Sequence, residues 1–240
     1  MSWDWKVFLN DDGSGRTYLQ WMFDAWGWTL AVAGASWVVA MLVGALFGTL
    51  RTLPNSPWLT RIANVWVEFF RNIPLLVQIF IWYFVVPKVF PSMKDLPSFV
   101  LVVFALGFFT SARSAEQLRA GIQALPRGQR YAGMAMGFTT FQTYRYVILP
   151  MAFRIIIPPL TSESMNLLKN SSVAFAVSIA ELTMFAMQAQ EETSRGVEIY
   201  LAVTLLYAAS AFTVNRVMAF VEKKVQIPGF VVAGATGGGH

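Results

Sequence analysis

AWGWTLAVAGASWVVAMLVGALFGTL, Ala25 to Leu50, is a run of 26 residues without a charge, bracketed by Asp24 and Arg51. A helix needs about 20 predominantly apolar residues to cross a bilayer, so this run predicts one membrane-spanning helix. Its small residues Ser36, Ala40, Gly44 and Gly48 recur every fourth position and form a narrow stripe where another helix backbone can come close. Packing within one bundle explains such a stripe more simply than a dimer seam does.

The rest of the chain has the same character. Of its 240 residues 56% are hydrophobic and only 13% charged, against about 25% charged in soluble domains. The net charge of +5 comes from Lys and Arg scattered between apolar runs, not from one basic face or tail, which argues against a nucleic-acid partner. Cysteine is absent and the one histidine is terminal. Zinc clusters, disulfides and Cys–His nucleophile pairs are thereby excluded, and no metal or cofactor site is expected. No GxxxxGK[ST] occurs, so the chain has no P-loop, and no HExxH or GxSxG motif is present. A Ser–Lys dyad on Lys169 is the one hydrolytic arrangement left open. Residues 1–20 carry Asp4, Asp11 and Asp12 and lack a basic n-region, so no cleavable signal peptide is expected.

Four more crossings follow. The second runs from about Ile62 to Val86, interrupted by Glu68, Arg71, Asn72 and Pro74, with Glu68 placed to pair with Arg71 three positions on. The third has 17 uncharged residues between Asp95 and Arg113, its helix continuing to Gln123, and the fifth has 17 from Ile199 to Asn215. The fourth, about Ile155 to Ile179, is apolar at both ends but carries Ser162, Glu163, Asn166, Lys169 and Asn170 between. At 100° per residue these fall within an arc of about 120°, one polar stripe. A charge at the bilayer centre costs on the order of 3 kcal/mol, so the stripe must face protein or a water-filled cavity. Partner charges on neighbouring helices would satisfy any single residue, but the whole set favours a solute path. Pro158-Pro159 read as lying near the start of this helix, where missing donors allow local opening.

Five crossings make an all-α membrane protein with its termini on opposite sides. Eleven basic residues fall in one set of connecting segments and five in the other, which favours N-outside and C-inside. The expected organisation is an external segment 1–24, a transmembrane domain 25–227 containing a cytoplasmic loop 126–150, and a tail 228–240. The glycine-rich Gly234 to His240 resembles a foreign remnant and is set aside. No internal repeat is visible.

The segment from Glu116 to Pro150, EQLRAGIQALPRGQRYAGMAMGFTTFQTYRYVILP, is no ordinary loop. Pro126-Arg127-Gly128 should break the third helix, and Gln129 to Met136 can form a short helix with small residues Ala132, Gly133 and Ala135, ended by Gly137. Thr139 and Gln142 have capping-box spacing for a second short helix carrying Tyr144 and Arg145, closed by Leu149-Pro150. Two short helices with a small-residue surface make a plug for a groove in a soluble partner; a plain surface loop is the competing reading.

Ala132, Gly137, Leu149 and Pro150 resemble the EAA loop of ABC importer permeases, whose pattern is E-A-A, three residues, G, nine residues, I, one residue, L-P. Val147 stands where that pattern has isoleucine, Tyr131 where it often has glutamate and Gly133 where it often has alanine. VEFFRNIPLLVQ (Val67 to Gln78), EQLRAGIQALPRGQ (Glu116 to Gln129), RYVILPMAFRIIIPPL (Arg145 to Leu160) and LLKNSS (Leu167 to Ser172) extend the likeness over nearly the whole chain, to the polar amino acid permeases. The resemblance implies the type I ABC importer permease fold with five transmembrane helices in a bacterial inner membrane. It also implies a second permease, identical or a paralogue, a dimer of ATP-binding subunits that hydrolyse the ATP, and a periplasmic solute-binding protein. Coupling to the ATPase is then expected at Gln129, Ala132, Gly133, Gly137, Tyr144, Arg145, Leu149 and Pro150. The amino acid path is expected at Arg71, Asn72, Ser162, Glu163, Asn166, Lys169, Asn170, Ser171 and Ser172. Relatives for cationic amino acids commonly read K-D where this chain has Lys169-Asn170, so an anionic or neutral amino acid is a better guest than arginine or histidine, with Glu163 arguing the other way; the likeness as a whole points to glutamate or aspartate. A secondary transporter or channel is the alternative, though it would often show inverted repeats.

Overall fold

The computed structural model describes residues 3–225; the expected tail 228–240 lies outside them. Among the described residues there is no strand, only an isolated bridge between Asp11 and Thr17. The helices are α1 (Tyr18–Leu50), α2 (Pro57–Asn72), α3 (Leu75–Val89), α4 (Ser98–Gln123), α5 (Arg127–Ala135), α6 (Thr140–Val177), α7 (Leu182–Thr193) and α8 (Gly196–Val225). α1, α4 and α8 are each long and apolar enough to cross a membrane, and counting each of the bent pairs α2–α3 and α6–α7 as one span brings the number to five.

α1 starts at Tyr18, before the uncharged run, because Thr17 and Gln20 form a reciprocal capping box there. Ahead of it, Val7 and Phe8 pack on Tyr18, Trp21 and Met22 and on Leu182, Phe185 and Ile199 of α7 and α8. In the turn between, Ser14 and then Arg16 hydrogen-bond the Asp12 carboxylate and hold its pKa down at about 2.

The small-residue stripe of α1 packs on α4. A Cβ on Gly44 would lie 2.7 Å from Ser114 Cβ, and one on Gly48 would lie 2.9 Å from the Ala115 carbonyl oxygen. Contacts advance together along both helices, Gly44 on Ser114 and Gly48 on Leu118, so α1 and α4 run parallel. The chain must therefore cross back between them, and α2–α3 makes that return. α6 runs antiparallel to α4, with Gly121 against Ile156 and Arg113 against Glu163.

The second crossing is not the single span expected from Ile62 to Val86. It breaks at Ile73-Pro74, where α2 and α3 meet at 107°. Pro74 has no N–H for the carbonyl of Phe70, and the buried Gln78 amide donates to that oxygen at 2.8 Å and to Ile73 O at 2.9 Å. The fourth crossing also differs. Pro158 and Pro159 sit inside an uninterrupted helix that begins at Thr140, so they do not open its start. Its break comes after Val177, at Ser178 in the left-handed region, and the turn to α7 is 54°.

Candidate functional site

The polar stripe of α6 lies open on the surface of the chain. Ser162 and Lys169 are exposed, and Glu163, Asn166 and Asn170 are half-buried. Leu167 and Leu168, on the other face, are buried. The Glu163 carboxylate faces Arg113 Nη1 of α4 at 3.8 Å, and the Arg113 guanidinium lies over the Phe109 ring at 4.7 Å. Among the described residues no carboxylate pairs with Lys169. Counting back from the Arg113–Glu163 contact in the antiparallel register places Lys169 near Gly107, deep in the uncharged run of α4. An acid compensated by arginine and a lysine left free give this face one net positive charge, within a span where electrostatic forces are strong.

The other expected path residues divide. Ser171 is fully buried and donates its hydroxyl to Leu168 O at 2.7 Å, so it faces the bundle, not the open stripe. Ser172 donates to Lys169 O at 2.7 Å. Arg71 does not pair with Glu68. It approaches Glu116 at 3.5 Å, in a cluster where the same carboxylate meets Arg51 at 2.7 Å and Arg119 at 3.0 Å. The pair expected along α2 fails because Asn72 occupies Glu68, donating to its carboxylate at 3.0 Å and to its carbonyl at 2.7 Å. Arg71 and Asn72 thus stand at the α2–α3 bend, and Arg71 meets α4 at Glu116, one turn along from Arg113.

At the Leu50 end of the bundle, α5 and the start of α6 form the two short helices expected there. Gly137, with φ +80°, ends α5, with Gly137 N on Met134 O at 2.9 Å and Phe138 N on Gly133 O at 3.1 Å. This pairing of the last carbonyls is a Schellman motif. Thr139 and Gln142 then cap each other's backbone N–H and start α6. Leu149-Pro150 does not close the unit. A π-helical stretch, Tyr144–Ile148, carries the helix through Pro150 into the fourth crossing.

Residues expected on one coupling surface face two ways. Gly133 is buried, and a Cβ there would meet Thr143 Cγ2 at 3.1 Å, so it lets the two short helices touch each other. Tyr144 is buried too, donating its hydroxyl to Thr52 O in the α1–α2 turn. Ala132, Gly137, Arg145 and Pro150 are exposed, while Gln129 and Leu149 are half-buried. Around them stand Tyr131, Met134, Met136, Phe141 and Tyr146, each more than half exposed. These exposed apolar side chains make this end a candidate interaction surface.

Three residues that matter here carry little signal in sequence. Arg113 reads as the charge that ends the third run, and Gln78 as one polar residue in an apolar stretch. Glu181, fully buried, caps α7 by accepting from Thr183 N at 2.9 Å and Met184 N at 3.0 Å, and it accepts from the Tyr207 hydroxyl at 2.8 Å. Its only sequence signal is an acid just before a helical run, an N-cap position.

Known proteins fit this architecture. Residues 21–227 match the family of binding-protein-dependent transport system inner membrane components. The chain is 41% identical to the glutamate/aspartate import permease protein GltJ of Escherichia coli strain K12, over 95% of this chain and 97% of that one. It is 32% identical to the probable amino-acid ABC transporter permease protein PatM of Vibrio harveyi, over 83% and 89%. Among solved structures, that of an amino acid ABC transporter with histidines superposes with TM-score 0.75 at 28% identity, covering 93% of this chain and all of that one. The inward-facing MetNI methionine ABC transporter shares the fold, with TM-score 0.67 at 19% identity over 88% and 96%. The chain belongs to the binding-protein-dependent transport system inner membrane components and is a permease subunit of an ABC amino acid importer in a bacterial inner membrane, with ATP hydrolysis left to a separate subunit.

Proposed function

We propose that this permease carries glutamate or aspartate inward along the open polar face of α6. One observation carries the reading: Glu163 is compensated by Arg113 and Lys169 is not compensated, so the stripe has a net positive charge. A solute with two carboxylates and one ammonium is the complementary amino acid. Glu163, which in the sequence spoke for a cation, has its partner within the chain. The name of the Escherichia coli relative points the same way.

The proposal extends to the remaining parts. Because the stripe is open at the surface of one chain, a second permease, identical or a paralogue, closes the path. The ridge of residues 126–150 seats in a groove of the ATP-binding subunit, with Ala132 and Gly137 permitting close approach. The N-terminal end faces outward, toward a periplasmic solute-binding protein, and the Lys224 end faces the cytoplasm.

The test is uptake of radiolabelled amino acids by cells that express the whole system and lack other acidic amino acid importers. Glutamate and aspartate should accumulate and should compete with each other, whereas arginine in excess should not compete. Competition by arginine and not by aspartate would overturn the reading.

A further inference from the structure

Arg113 and Glu163 share their ion pair unequally. The Glu163 side chain is 12% exposed and that of Arg113 is 41% exposed, so the acid is withdrawn while the arginine beside it stays accessible at the surface. The contact joins one nitrogen to one oxygen at 3.8 Å, beyond the roughly 2.7–2.9 Å of a charge-assisted hydrogen bond. A guanidinium has five N–H donors in a fixed fork that matches a carboxylate, and here most of them are unspent. The Phe109 ring beneath holds the plane in place.

Resting on the acidic-solute reading above, we infer that Arg113 is a specificity-determining residue, whose guanidinium receives the side-chain carboxylate of the solute while Lys169 receives the α-carboxylate. The two cations belong to different helices, α4 and α6. Along α6, Lys169 stands six residues beyond Glu163, a rise of about 9 Å. The long, flexible Arg113 and Lys169 side chains can close over such a gap on the two carboxylates of a dicarboxylic amino acid, and glutamine, with one carboxylate, does not satisfy both. Glu163 then acts as the resident carboxylate that keeps Arg113 oriented when the path is empty.

The rival explanation is that Arg113 only neutralises Glu163. Equilibrium binding of radiolabelled glutamate and glutamine to the assembled permease–ATPase complex, without solute-binding protein, separates the two. Arg113→Gln should lower glutamate affinity by about tenfold or more, the loss of one charge-assisted hydrogen bond, and leave glutamine binding nearly unchanged. The double variant Arg113→Gln with Glu163→Gln strands no carboxylate and keeps the test valid if the single variant fails to assemble. It should show the same loss of glutamate preference. Restoration of the original preference in the double variant would make Arg113 a mere counter-charge and overturn the inference. Failure of the unmodified complex to prefer glutamate over glutamine would overturn the acidic-solute reading itself, and that result is recognisable before any variant is made.

Discussion

Asn170 stands seven residues beyond Glu163 on the same side of α6, and Lys169 beside it is the uncompensated charge of the stripe. Replacing Asn170 by Asp sets a carboxylate next to the solute path, and in a low-dielectric span that repels an acidic guest far more than it would in water. Asn170→Asp should cut glutamate uptake by about tenfold or more, an effect of about 1.4 kcal/mol, with assembly checked by co-purification of the ATPase. Unchanged glutamate uptake would mean that Asn170 does not face the solute. Lys169→Met gives a clean comparison. The structure pairs Glu163 with Arg113, so a drop in glutamate uptake by Lys169→Met reports on the solute. Thermal unfolding of the purified complex should then be unmoved. The Arg113–Glu163 pair was hidden in sequence because the partners lie on different helices, where spacing says nothing about contact.

The coupling unit was more legible. The Thr139–Gln142 capping box and the stop at Gly137 are local devices, and local devices can be read from spacing. The inward turns of Gly133 and Tyr144 depend on what each meets across the unit, Thr143 and Thr52, and nothing in the segment names those partners. Gly137 is needed for its backbone, since open space surrounds it and its φ is +80°. Any side chain there costs about 1–2 kcal/mol, so even Gly137→Ala should weaken ATPase co-purification. Gly137→Trp should abolish it while membrane insertion persists; full assembly of Gly137→Trp would refute this account of the unit. Along α1, the stripe Ser36, Ala40, Gly44 and Gly48 announced close approach, and α4 is what approaches. Gly48→Leu would drive a side chain into the Ala115 backbone. Overpacking typically costs about 1–3 kcal/mol, and a lower thermal midpoint of the solubilised permease should report it. The broken crossings were the hardest to read. Pro74 marked an interruption in the second crossing, but its angle depends on Gln78 reaching the freed carbonyls. Pro158-Pro159 suggested a weak point that the longer helix absorbs.

At the scale of the molecule, parallel α1 and α4, antiparallel α6 and the two bent pairs give five crossings with the Asp12 turn and Lys224 at opposite ends. The excess of basic residues is the ground on which we propose that the Lys224 end faces the cytoplasm. The chain has no cysteine, so single cysteines at Asp12 and Lys224 can be probed with an impermeant thiol reagent in intact cells after outer-membrane permeabilisation. Asp12→Cys should label and Lys224→Cys should label only after lysis. ATP-driven transport of an acidic solute is tested most directly by accumulation of radiolabelled glutamate in proteoliposomes. These would hold this permease, its partner permease and the ATP-binding subunit, with solute-binding protein outside and ATP inside. The account predicts that glutamate accumulates only with ATP, that aspartate competes and that arginine does not; accumulation driven by an ion gradient without ATP, or competition by arginine alone, would contradict it.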